Sequence, residues 1–189
     1  MKTRNIVILL IILALLGGIY YVFNRPEPAS PEQPKEYVWM IEQDDIVHIT
    51  ITLTRENPQL SQSFIKISQE DKFPWYFDDA QHSPVDSQRW GGGIPLLLSG
   101  PGADRAITYT ATPEKLAEYG LTNPKMRIEL LLADDTTMVI YVGDATPDGA
   151  NYYVRAPNSD AVATVDYTWY DIMARLVTEP PYATTTPKS

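Results

Sequence analysis

The sequence predicts an α+β fold: an antiparallel β-sheet domain with two or three short helices, preceded by one N-terminal transmembrane helix. Three observations predict it. Residues 6–23, IVILLIILALLGGIYYVF, form an unbroken apolar run without a charge. Between residues 37 and 179 several short segments alternate apolar and polar side chains, which is the period of a half-buried strand. Turn chemistry at Gly120, Asp134-Asp135 and Pro157-Asn158-Ser159 separates these segments.

The apolar run comes first. As a helix rising ~1.5 Å per residue it spans about 27 Å, close to the ~30 Å hydrocarbon thickness of a bilayer. Inside lipid a helix satisfies every backbone N–H and C=O within the segment. A cleavable signal has an apolar core of about 7–15 residues ending in small residues. Here the run is longer, and Glu27-Pro28 stands just before the downstream Ala29-Ser30 bond, a poor cleavage context. A retained signal anchor is therefore expected, with the lipid bilayer as partner of residues 6–23. Lys2 and Arg4 before the span favour a cytoplasmic N-terminus and an extracytoplasmic bulk, periplasmic or outer. Tyr20 and Tyr21 fall at the outer interface. Gly17-Gly18 permits close packing against another membrane helix. Residues 1–23 thus form a cytoplasmic stub and anchor.

Residues 24–36, NRPEPASPEQPKE, hold four prolines and three glutamates without apolar periodicity. They read as an extended stalk, about 40 Å long at ~3.1 Å per residue. The domain proper is placed at 37–179 and a loose tail at 180–189. Without Lys2 and Arg4 the 15 basic residues of the chain become 13, against 24 acidic ones, a net charge near −11. That excludes nucleic acid as a partner and disfavours docking on anionic lipid. There is no cysteine, hence no disulfide, no thiol chemistry and no lipidated cysteine; stability rests on the core.

Within the domain, residues 37–43 read as a short aromatic strand. Residues 45–55 alternate, with Val47, Ile49, Ile51 and Leu53 on one face and His48, Thr50, Thr52 and Thr54 on the other. A loop over 56–62 leads to a strand over 63–69 with Ile65 and Ile67 inward, then a short strand over 74–77. Residues 85–90 begin a helix that Gly91-Gly92-Gly93 interrupts, since each glycine costs about 1 kcal/mol in a helix interior. Residues 94–99 restart it, with Trp90, Ile94 and Leu97 or Leu98 facing the core. A strand over 105–110 precedes a helix with Thr112 as N-cap, Pro113 in its first turn and Gly120 as left-handed C-cap. Residues 125–133 and 136–143 form a hairpin in which Ile128, Leu130 and Leu132 face Met138, Ile140 and Val142. Residues 152–155 and 161–166 form another. Residues 167–177 form a helix with Trp169, Met173 and Leu176 along one stripe, stopped by Pro180-Pro181.

Catalytic chemistry has few candidates here. The two histidines are His48 and His82, and no nucleophile elbow of the form GxSxG is present. Asp78, Asp79 and His82, or Asp144 with Asp148, have carboxylates near one another, but neither set has a known metal-loop spacing. No catalytic residue, metal site or cofactor is expected.

Two motifs stand out. Glu118-Tyr119-Gly120-Leu121-Thr122-Asn123-Pro124 carries the pattern YGLxxP. Residues 142–155, VGDATPDGANYYVR, carry GDxTPxGxxYYVR. Together, with a hairpin between them, they resemble the bacterial domain-of-unknown-function family 4340, over roughly residues 70–178. The resemblance implies a domain behind an N-terminal membrane helix, in some members beside ABC-transporter-like components. It assigns no catalytic residues.

The function expected is that of a membrane-anchored, extracytoplasmic, non-catalytic accessory or interaction module, a subunit of a larger membrane assembly with membrane-protein partners. One alternative is a ligand-binding auxiliary of an ABC-type transport system; another is a hydrolase with a carboxylate or metal site. The candidate interaction surface is Trp75, Trp90, Asp144, Asp148, Asn151 and Tyr153, because binding groups concentrate on loops held by a rigid scaffold.

Overall fold

A computed structural model of the chain describes residues 13, 16, 20, 37–67, 73–91, 93–100, 102–103 and 105–183. The chain divides into two compact units, Met1–Lys35 and Glu36–Ser189. Of the first, only Leu13, Leu16 and Tyr20 are described, each helical and exposed. The rest of the expected span, with its Gly17-Gly18 pair, and the stalk lie outside the described residues, among which no helix is long and apolar enough to cross a membrane.

The second unit is built on one eight-stranded sheet. Its strands are β1 (Ile46–Leu53), β2 (Leu60–Lys66), β3 (Trp75–Phe77), β4 (Arg105–Thr108), β5 (Met126–Leu132), β6 (Thr137–Ala145), β7 (Asn151–Arg155) and β8 (Val162–Asp166). Their order is β3-β2-β1-β5-β6-β7-β8-β4 and every neighbouring pair is antiparallel. The expected α+β class with an antiparallel sheet and short helices is what the described residues form.

The hairpin β5–β6 follows from its alternation. Ile128 pairs with Ile140, Leu130 with Met138 and Met126 with Val142, so one face of both strands is apolar. Asp135 takes the positive φ, +65°, that the tight turn needs. β1 follows the alternation from Ile49 onward. At its start the structure corrects the expectation: Ile46 is fully buried and Val47 only half-buried. The cause is a register shift between Ile46 and His48 against β5, because one extra residue exchanges the two faces.

In β2 the inward residue is Phe64, fully buried, whereas Ile65 is half-buried and Ile67 exposed. Its sequence has apolar residues at both parities, so alternation alone does not choose a face. Pairing does: Phe64 stands opposite Ile49 of β1 and Phe77 of β3. The other parity carries hydroxyl pairs, Thr50 with Ser63 at 2.9 Å and Thr52 with Ser61 at 3.0 Å.

Residues 37–42 form no strand. They run as irregular chain into a 3-10 turn, Gln43–Asp45, yet Trp39 and Ile41 are buried. Ile41 N–H donates to Ser99 O at 2.8 Å and Trp39 Nε1 to Leu98 O at 3.1 Å. The aromatic pattern thus signalled core contact, not sheet pairing.

The helices are α1 (Ser87–Trp90), α2 (Ile94–Leu98), α3 (Pro113–Glu118) and α4 (Tyr167–Thr178). The glycine break holds, with Gly91 at φ +58° between α1 and α2. Asp86 caps α1 by accepting from Gln88 and Arg89 N–H, Thr112 caps α3, and Asp166 caps α4 by accepting from Thr168 N–H at 2.7 Å. The long helix α4 lies against β1, β2, β7 and β8. It buries Trp169, Met173, Leu176 and Val177, each stabilising by about 1.5–3 kcal/mol. Beyond α4, Pro181 is buried, and Tyr182 bridges to Val85 and stacks on Phe77 at 4.0 Å. Residues 181 and 182 of the expected loose tail are thus held against the domain, and residues 184–189 lie outside the described residues.

Candidate functional site: a groove on the open face of the sheet

β7 assigns its side chains to two sides. Tyr152 and Val154 face α4, where the Tyr152 ring stacks on Tyr170 at 4.0 Å. Asn151 and Tyr153, at the other parity, face away. In β8, Ala163 and Val165 join the core, and Thr164 faces the same way as Tyr153, its register partner. Across β8, Arg105 of β4 stands opposite Thr164. Arg105, Ile107, Thr146, Pro147, Asp148, Asn151, Tyr153 and Thr164 enclose a groove of about 290 Å³.

The two sequence motifs meet at the margin of this groove and hold each other. The Tyr119 ring stacks on the Tyr153 ring with centroids 4.4 Å apart. Asp144 N–H donates to Tyr119 O at 2.8 Å. Gly143 lies under that carbonyl; a Cβ there would stand 2.1 Å from Tyr119 O. Gly120 has φ +70° and its missing Cβ leaves room for the Asp144 carboxylate. Arg55, at the end of β1, closes the arrangement. Its Nη1 pairs with Asp144 Oδ1 at 2.7 Å, its Nε donates to Asn123 O at 2.8 Å and its Nη2 to Gly120 O at 3.2 Å.

The loop after Asp144 is satisfied from within. Thr146 Oγ1 donates to Asp148 Oδ1 at 2.6 Å, and Ala150 N–H donates to the same oxygen at 3.1 Å. Thr146 N–H donates to Asn151 O at 2.8 Å, and Gly149 takes φ +72°. The Thr146 hydroxyl and the Ala150 N–H, with the charge of Arg105 adding to them, hold the Asp148 carboxyl below its usual 3.8.

Of the six candidate surface residues, Asp148, Asn151 and Tyr153 share the groove. Asp144 sits beyond the Tyr119–Tyr153 stack and is bound to Arg55 rather than offered to a partner. Trp75 and Trp90 are corrections: they are 5% and 2% exposed and pack on each other at 5.4 Å. An aromatic in a short strand and one in a broken helix were each other's partners, which sequence spacing does not encode. Arg105, Thr164 and Ile107 were missed, because β4 joins β8 from 59 residues away in sequence at Arg105 and Thr164 and neither residue type signals a site alone. Arg55 was missed for the same reason. Replacing it by alanine leaves Asp144 and two loop carbonyls without their donor. Arg55→Ala is expected to cost about 1–2 kcal/mol, measured by denaturant unfolding; a change below about 0.3 kcal/mol would argue against the clamp.

The sets considered for metal do not converge. Asp78 pairs with His48 Nε2 at 2.9 Å. Asp79 Oδ1 instead accepts from Gln81 and Ser83 N–H. Among the described residues no group of three or more His, Cys, Asp or Glu is placed to hold a metal ion.

Hydrogen-bonded turn and cap carboxylates recur. Hydrogen bonds from the Ser83, Thr136, Thr146 and Thr168 segments depress Asp79, Asp134, Asp148 and Asp166 respectively. A folded-state pKa below the unfolded one means that the folded chain binds fewer protons, so stability is complete above the ordinary carboxylate range. It is then lost as pH falls through the lowered values. The melting temperature is expected to hold from pH 7 to 5 and to fall below about pH 4. A melting temperature that rises on acidification would contradict these hydrogen bonds.

Residues 102–177 match the family model described as Domain of unknown function (DUF4340). This is the family that the two motifs resemble, and the matched stretch contains both of them. It begins after Trp75 and Trp90, which the broader expected span of 70–178 included. No curated protein and no solved structure matches the chain.

Proposed function

We propose that this chain is a non-catalytic accessory module of a larger membrane assembly, held on the extracytoplasmic side by residues 6–23. The observation that carries the non-catalytic part is the use of the motif carboxylates. Asp144 Oδ1 is bound by Arg55 and Asp148 Oδ1 by Thr146 and Ala150, so the residues that mark the family hold a corner together. A general base needs a lone pair aimed at the reacting atom, whereas Oδ1 of each of these carboxylates is aimed at a donor of its own corner. The membrane part rests on the charge-free apolar run, on Lys2 and Arg4 ahead of it, and on the Pro/Glu-rich residues 24–36 behind it.

Topology is tested by protease treatment of intact bacterial spheroplasts carrying the full chain tagged at either end. The C-terminal tag is expected to be cut and the N-terminal tag protected. Protection of both tags, or release of the whole domain into the soluble extracytoplasmic fraction, would overturn the anchored arrangement.

A further inference from the structure

We infer that the groove across β4, β8 and β7 is a binding site for a single sugar residue, with Tyr153 as its aromatic wall and Thr164, Asn151, Arg105 and Asp148 as its polar partners. This goes beyond the accessory role and does not rest on the membrane reading.

The floor of the groove points to a ligand. Thr164 is only 5% exposed, and its hydroxyl has no side-chain hydrogen bond among the described residues, although no buried side-chain polar atom there is sealed off and unsatisfied. The hydroxyl therefore opens into the groove. Being 5% exposed and set at the groove, this hydroxyl has only the groove from which to draw a partner, and valine would fill the same volume without one. A ligand that supplies the missing bond gives the threonine a use.

The walls select the ligand class. Arg105 and Asp148 place one cation and one anion at the groove, so a ligand with a single charge meets one like charge. A neutral, polyhydroxylated ring meets donors in Arg105 and Asn151, acceptors in Asp148 and Asn151, and a hydroxyl that serves as either in Thr164. Tyr153 supplies a flat apolar face for the C–H side of such a ring, and its stacking on Tyr119 at 4.4 Å holds it in place before binding. The volume, about 290 Å³, lies at the lower end of the ~300–1,000 Å³ found for small-molecule sites, which suits one ring and not an extended chain.

The test uses the full chain in a polyoxyethylene detergent, because alkyl-glycoside detergents present a sugar headgroup. Glucose, galactose, mannose, N-acetylglucosamine and their disaccharides are titrated with saturation-transfer NMR, with acetate and glycylglycine as charged controls. At least one monosaccharide is expected to bind with a millimolar Kd, its signals saturated along one ring face. Thr164→Val is expected to weaken binding about tenfold while leaving the melting temperature unchanged or higher. Arg105→Ala, on an exposed side chain, is expected to weaken binding similarly and serves if Thr164→Val fails to fold. Absence of saturation by every sugar, equal binding by both variants, or binding of glycylglycine or acetate in place of sugars would overturn the inference.

Discussion

Gly143→Ala is expected to destabilise the domain by about 3 kcal/mol, at the upper end of what overpacking a close-packed site costs. The added Cβ would stand 2.1 Å from the Tyr119 carbonyl oxygen and 3.2 Å from Gly120 C, both backbone atoms. Neither can swing aside as a side-chain end does. The chain must part from the α3 corner, which breaks the Asp144 N–H bond to Tyr119 O and shifts Tyr119 off the Tyr153 ring. Gly120→Ala also meets an obstacle, Asp144 Oδ2 at 2.3 Å, but that carboxylate is the far end of a side chain and yields at the cost of its pair with Arg55. Denaturant unfolding of the two variants is expected to rank Gly143→Ala as the more damaging. A loss below about 0.5 kcal/mol for Gly143→Ala would mean that the two motifs do not lock together as described.

Trp90→Ala is expected to cost about 3–5 kcal/mol, a large share of the ~5–15 kcal/mol that holds a typical domain. Trp90 packs on Phe64 at 4.7 Å and on Trp75 at 5.4 Å, and Phe64 packs on Phe77 at 5.1 Å. Removing the indole opens a cavity against rings fixed by two paired strands, β2 and β3, so collapse is limited. A tryptophan serving as a surface anchor would lose partner binding on substitution and change stability little, within about 0.5 kcal/mol. A small stability change would therefore restore Trp90 to the interaction surface.

What was legible in the chain was whatever local spacing controls. The β5–β6 hairpin, the Thr112 cap, the Gly120 C-cap, the glycine break after Trp90 and the Trp169–Met173–Leu176 stripe all depend on residues within a few positions of one another. Errors arose where pairing at a distance decided. The burial of Phe64 over Ile65 was set by its neighbours Ile49 and Phe77, and the half-burial of Val47 by a bulge against β5. For the site, Asp148, Asn151 and Tyr153 were within reach because one loop and strand carries them. Thr164 and Arg105 were not, because β4 closes the sheet beside β8, the last strand to form in chain order. Arg55 illustrates the limit best: an arginine at a strand end has no local signature, and its carboxylate partner lies 89 residues away.

The most direct test of the assembly-subunit reading is native mass spectrometry of the full-length tagged chain after gentle detergent extraction, preceded by native sizing. Stoichiometric membrane-protein partners travelling with the chain are the expected result, and their identity names the process served. A lone monomer that survives extraction intact would contradict the reading and leave the sugar-sized groove beside Tyr153 as the chain's principal site.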